Sequence, residues 1–89
     1  HHPGLKRKVL KVEAKDIHWL QENMRLKANQ TLSCKARIRY RQPLNPCILI
    51  QKNNDLYVIF DKFQKGIAAG QFVAWYQKNE LLGSGVISA

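Results

Sequence analysis

Acidic residues are scarce in this sequence: six Asp plus Glu stand against fifteen Lys plus Arg in 89 residues, a formal net charge of +9. Between Glu22 and Asp55 there is no acid at all, while seven bases occur: Arg25, Lys27, Lys35, Arg37, Arg39, Arg41 and Lys52. A second basic cluster, Lys6, Arg7, Lys8, Lys11 and Lys15, is interrupted only by Glu13. The few acids are scattered, with Asp55, Asp61 and Glu80 at expected turn edges, so no paired carboxylates for acid–base work can be assembled. Cysteine is limited to Cys34 and Cys47, widely spaced and without a companion His cluster, which leaves no zinc pattern. His18 beside Trp19 has no Ser, Cys or Asp in a companion motif, so no nucleophile–base pair emerges either. No apolar run approaches the length of a membrane span, and there is no signal peptide, which points to a cytoplasmic protein that avoids membranes.

What the chain does have is a charged strand. Side chains on a strand alternate between its two faces. In the stretch from Lys35 to Gln42, Lys35, Arg37, Arg39 and Arg41 therefore share one face, while Cys34, Ala36, Ile38 and Tyr40 share the other. Cations repeating at about 6.6 to 6.8 Å, twice the strand rise, repel one another unless water or a polyanion lies across them. The excess of base favours nucleic acid over a membrane surface, because no helix here pairs a basic face with a broad apolar one.

The rest of the chain reads as short strands in one domain, 8–88, preceded by a 1–7 lead-in or tag remnant that begins His1-His2. Lys8 to Ala14 alternates with Leu10, Val12 and Ala14 inward, and 16–20 follows as a turn anchored by Trp19. Residues 21–30 form a loop with room for a short helical turn near Met24. Thr31 to Arg41 is the basic strand, stopped by Pro43 and Pro46, which cannot donate to a ladder. Cys47 to Gln51 and Leu56 to Phe60 flank Lys52-Asn53-Asn54-Asp55, a tight hairpin signal. Phe63 to Ala69 is a connection, and 71–76 and 80–88 are two further strands joined through Gln77-Lys78-Asn79. Gly83 and Gly85 fit a bulge or a close approach of two backbones. Six strands without a convincing helix predict an all-β fold, a small six-stranded antiparallel β-barrel whose closure removes exposed edges. Both cysteines are read as small core residues, bridged only if their strands happen to juxtapose them.

Binding chemistry is better supported than catalysis. Arg offers a planar fork to phosphate, so Lys35, Arg37, Arg39 and Arg41 are the candidate phosphate contacts. Tyr40 and Gln42, at the end of the basic strand, are the candidates for stacking or base-edge contacts with an unpaired nucleotide. Phe63, Trp75 and Tyr76 could also offer stacking faces, but Phe60, Phe72, Trp75 and Tyr76 read more simply as barrel core.

Several fragments then carry a family pattern in register: Ala36-Arg37-Ile38-Arg39-Tyr40-Arg41-Gln42 with Pro46-Cys47, Val58-Ile59-Phe60-Asp61, the run from Gly66 to Tyr76, and Leu82-Gly83-Ser84-Gly85-Val86-Ile87. Together with Ile17-His18-Trp19, this pattern resembles the C-terminal domain of bacterial tRNA-specific 2-thiouridylases over about Lys8 to Ser88. Ala69 stands where the family usually has Pro, and Ser84 interrupts its usual Gly-Gly-Gly; both are small residues that a turn and a tight strand accept. The resemblance implies a barrel similar to domain 2 of translation elongation factors, attached to an ATP-pyrophosphatase domain. The family enzyme uses ATP and a sulfur-donor protein to thiolate C2 of the wobble uridine in tRNA. No Ser-Gly-Gly-x-Asp-Ser nucleotide loop is present here, and Cys34 and Cys47 match barrel positions rather than the family's catalytic cysteines. The resemblance thus implies a fragment that is not itself an enzyme, binds no cofactor of its own, and helps hold the tRNA anticodon arm through Lys35, Arg37, Arg39, Tyr40, Arg41 and Gln42. The rival expectation is a scaffolding barrel that docks on its own catalytic domain without touching RNA.

Overall fold

A computed structural model describes residues 6–39 and 41–88. Six strands, β1 (Lys6–Trp19), β2 (Thr31–Arg37), β3 (Asn45–Lys52), β4 (Asp55–Lys65), β5 (Phe72–Gln77) and β6 (Glu80–Ile87), are joined by turns and one short 3-10 turn at Glu22–Met24. Every pairing is antiparallel, and the order β1-β4-β3-β2-β5-β6 closes because β1 pairs with both β4 and β6. The expected six-stranded barrel is present. Among the described residues no helix is long and apolar enough to cross a membrane.

The closure depends on β1 being longer than its alternation suggested. Its first part pairs Val9 to Val12 with β4, the register shifts between Val12 and Ile17, and Ile17 to Trp19 then pair with Gly85 to Gly83 of β6. Of residues 16–20, expected as a turn, 16–19 therefore continue the strand through an irregularity that re-aims it, as bulges at barrel corners do. Alternation resets there. Leu10 and Val12 point inward, whereas Ala14 is exposed and its N–H donates to Asp55 Oδ1 at 3.3 Å. At the crossing β6 must come close: a Cβ on Gly83 would sit 2.6 Å from His18 O, and one on Gly85 would sit 2.8 Å from Asp16 O. The two glycines do mark a close backbone approach.

Two hairpins rest on residues that tolerate left-handed backbone. Asn53 and Asn54 adopt φ 53° and 71° between β3 and β4, and Lys78 and Asn79 adopt 52° and 64° between β5 and β6. Positive φ at both central residues matches the twist of the flanking strands, which fixes the registers Lys52↔Asp55 and Gln77↔Glu80.

The barrel interior is filled by Leu10, Val12, Leu49, Leu56, Val58, Phe60, Val73, Trp75 and Ile87, each at most 2% exposed. Burying each such side chain contributes about 1.5 to 3 kcal/mol. Trp19 and Trp75 meet edge to face, with centroids 5.4 Å apart at 65°. Two aromatic assignments change. Phe72 lies outside at 65% exposure, because a strand that buries Val73 and Trp75 must turn Phe72 outward. Tyr76 is half-buried rather than core. β4 also runs on to Lys65, so Phe63 belongs to a strand rather than a connection, exposed beneath the Lys8 ammonium at 4.9 Å from its ring centre.

Candidate nucleic-acid interface

The basic strand is shorter than its sequence implies, and this reorganises the expected row of cations. β2 ends at Arg37, not Arg41. The cause is Gln42. Its Oε1 accepts from the Ile38 N–H at 2.9 Å and the Arg39 N–H at 3.3 Å, and its own N–H reaches back to Arg39 O at 2.9 Å. A local side-chain acceptor thus takes up the backbone donors that a longer ladder would need. The chain bends before Pro43 is reached.

Two of the four cations, Arg39 and Arg41, consequently leave the row. Arg39 folds over the turn after β4, donating from Nη2 to Gly66 O at 3.1 Å and from Nη1 to Lys65 O at 3.4 Å. Arg41 is exposed on the bend. Gln42 turns inward, its Nε2 donating to Gln64 Oε1 at 2.9 Å, so its amide is engaged in structure rather than displayed. Tyr40 lies outside the described residues.

Lys35 and Arg37 remain on the outward face of β2, with β5 beside them. Lys35 is opposite Tyr76 in register, and Arg37 is opposite Ala74. Arg37 donates from Nη2 to Tyr76 Oη at 3.0 Å, and its guanidinium carbon lies 5.1 Å from the centre of that ring. The pairing does two things. It orients the phenol and holds a delocalised cation against an aromatic face.

The cleft next to this pair is lined by Lys35, Pro46, Tyr76, Gln77, Lys78 and Asn79, among others. Lys78 was not among the expected site residues. It arrives from the β5–β6 hairpin because antiparallel pairing of β2 with β5 carries that turn past Lys35. Its only sequence signal was a turn, Gln77-Lys78-Asn79, with a cation at the tip. The resulting surface combines Lys35, Arg37 and Lys78 around one aromatic ring.

Beneath it lie the two cysteines, directly opposed as Cys34↔Cys47 on β2 and β3, with sulfurs 3.7 Å apart and both thiols free. A hydrogen bond from Cys47 holds the Cys34 thiol below its ordinary pKa, while the same bond and burial push Cys47 up. Elsewhere, Glu22 and Arg25 form an exposed ion pair at 2.8 Å, far too solvated to organise a site. Among the described residues no group of three or more His, Cys, Asp and Glu could hold a metal ion.

Comparison with known proteins bears on this surface. Residues 9–87 match the model of the family described as the aminomethyltransferase beta-barrel domain. The chain is 52% identical over 98% of its length to the tRNA-specific 2-thiouridylase MnmA of Christiangramia forsetii, and 52% identical over 99% to that of Flavobacterium johnsoniae. A more distant relative is the mitochondrial tRNA-specific 2-thiouridylase 1 of Mus musculus, 34% identical over 97% of this chain. The chain spans only about a fifth of these relatives, 22%, 22% and 21% respectively. By residues matched, the chain belongs to the aminomethyltransferase beta-barrel domain family, and by identity it is similar over nearly its whole length to one part of tRNA-specific 2-thiouridylases.

Proposed function

We propose that this barrel is an accessory tRNA-binding domain: it grips the anticodon arm while the remainder of a 2-thiouridylase, using ATP and a sulfur-donor protein in the cytoplasm, thiolates the wobble uridine. The observation that carries this reading is the placement of Lys35, Arg37 and Lys78 around Tyr76 on one face. The cations neutralise phosphates, and the ring supplies a stacking platform for an unpaired base. Arg41, exposed on the adjoining bend, extends the charged surface. Arg39 and Gln42 shape the bend that presents it. The relatives' names state that they act on tRNA, which supports the same assignment.

A titration of this chain against an anticodon stem-loop over a range of salt tests it. Three phosphate contacts on a single strand give a slope of log affinity against log salt of about −2. Reversing Lys35 or Lys78 to Glu reduces the magnitude of the slope by about 0.7 each. A slope near zero, or one indifferent to both reversals, removes the proposal.

A second reading, a scaffolding barrel that docks on its own catalytic domain, is favoured by one observation. Val9, Ile59 and Ile48 lie in one outward row across β1, β4 and β3, with Val9 47% and Ile48 45% exposed. Replacing Val9 and Ile48 by Thr in the full-length enzyme separates the readings. Loosened domains with unchanged RNA affinity favour docking, and the two charge reversals above favour RNA contact.

A further inference from the structure

We infer that Cys34 and Cys47 form a reversible thiol–disulfide site on the barrel wall, with Cys34 the reactive sulfur and Cys47 the resolving one. The inference is independent of the RNA reading. Its basis is register. Directly opposed residues on antiparallel strands have Cα atoms about 4.5 to 5.5 Å apart, inside the window of about 4.4 to 6.8 Å that disulfides occupy. Cys34↔Cys47 is such a pair, and its sulfurs already face each other at 3.7 Å. Closing the remaining gap takes side-chain rotation rather than movement of strands.

Access and charge divide the roles. Cys34 lines two clefts, one shared with Lys35, Tyr76 and Lys78, the other with Lys8, Cys47 and Asp61. Cys47 is buried at 5% exposure. Cys34 is therefore the sulfur a small oxidant reaches, in surroundings where Lys8, Lys35 and Lys78 outnumber the one carboxylate. The hydrogen bond from Cys47 further favours its thiolate.

With a peroxide as oxidant the chemistry balances in two steps. The Cys34 thiolate attacks one peroxide oxygen, forming an S–O bond and breaking O–O, and the departing hydroxide takes a proton to leave as water. Cys47 sulfur then attacks the Cys34 sulfenic acid, forming S–S and breaking S–O; a second water leaves with the Cys47 proton. Two thiols lose two electrons, which reduce one peroxide to two waters.

The test uses the reduced, folded 89-residue chain treated with stoichiometric hydrogen peroxide and followed by intact mass and peptide mapping. Because the chain has two cysteines, loss of the mass of two hydrogen atoms reports this bridge alone. The expected product is a monomer carrying Cys34–Cys47, restored by dithiothreitol. In Cys47→Ser, dimedone captures a sulfenic acid on Cys34; in Cys34→Ser, Cys47 stays unlabelled. Disulfide-linked dimers, progressive oxygen addition without a bridge, or capture on Cys47 in preference to Cys34 would overturn the assignment. The wild-type measurement stands even if a variant fails to fold.

Discussion

Gln42 and Gln64 face each other with Nε2 to Oε1 at 2.9 Å, and this contact anchors the side chain whose Oε1 takes up the Ile38 and Arg39 N–H groups where the basic strand stops. Gln64 is 5% exposed and donates in turn to Lys62 O at 3.1 Å. Removing Gln42 therefore strips an acceptor from two backbone N–H groups and leaves a buried amide oxygen unpaired. Gln42→Ala should cost about 1 to 3 kcal/mol in urea unfolding. Gln42→Glu, which keeps the acceptor toward Ile38 and Arg39 but cannot donate to Gln64, should fall between it and wild type. An unchanged midpoint for Gln42→Ala would return this residue to the surface role its sequence position suggested.

Gly83 and Gly85 should be intolerant of even one methyl group. A Cβ at Gly83 meets His18 O at 2.6 Å and Trp75 Nε1 at 2.9 Å, and one at Gly85 meets Val12 Cγ1 at 2.5 Å. These neighbours are backbone and packed core, so β6 would have to move away from β1. Each Ala substitution should lose about 1 to 3 kcal/mol, as overpacking does. Gly70 is the comparison: nothing lies within 4 Å of its Cβ position, and only its φ of +93° is strained by Ala. Thermal unfolding that ranks Gly70→Ala as the most damaging of the three would contradict the crossing geometry.

Arg39 and Lys35 both belong to the row that strand alternation predicts but should behave differently. Arg39 is anchored on Lys65 O and Gly66 O, so Arg39→Gln should lower stability by roughly 0.5 to 1.5 kcal/mol and leave the salt dependence of stem-loop binding nearly intact. Lys35→Gln should do the reverse, since it is exposed beside the Tyr76 cleft. Paired unfolding and binding curves for the two variants decide it; equal loss of RNA binding in both would restore the continuous cationic row.

The thiol pair has a pH signature in its reduced state. The Cys34 pKa is lowered by the hydrogen bond from Cys47, so its thiolate forms at lower pH than an ordinary cysteine, and Cys47 is shifted upward. Iodoacetamide labelling of the folded chain should thus occur first at Cys34, with its rate rising on the acid side of a free-cysteine control. In Cys47→Ser the serine hydroxyl still donates, so the shift should persist; in Cys47→Ala it should move back up.

The fold was legible where local rules have one dominant solution. Two adjacent Asn residues in a left-handed turn, Gly83 and Gly85 at a crossing, and inward alternation of Leu10 and Val12 are all dictated by backbone sterics or by a period of two. The bend of β1 was not legible. Whether residues 16–20 turn away or continue along β6 depends on a partner strand more than sixty residues distant, and a short polar run before a Trp is compatible with both.

The candidate site divides along the same line. Sequence alone determined that the chain is basic and strand-rich, because charge, alternation and composition are properties of the chain itself. Tertiary structure decided which cations stand together. Gln42 ends β2 by satisfying its donors, Arg39 departs to Gly66, and β5 brings Tyr76 and Lys78 to Lys35 and Arg37. It likewise set Cys34 against Cys47. Each of these outcomes is a register between distant segments, and register is fixed by simultaneous burial and hydrogen bonding on both strands, which neither strand's sequence contains by itself.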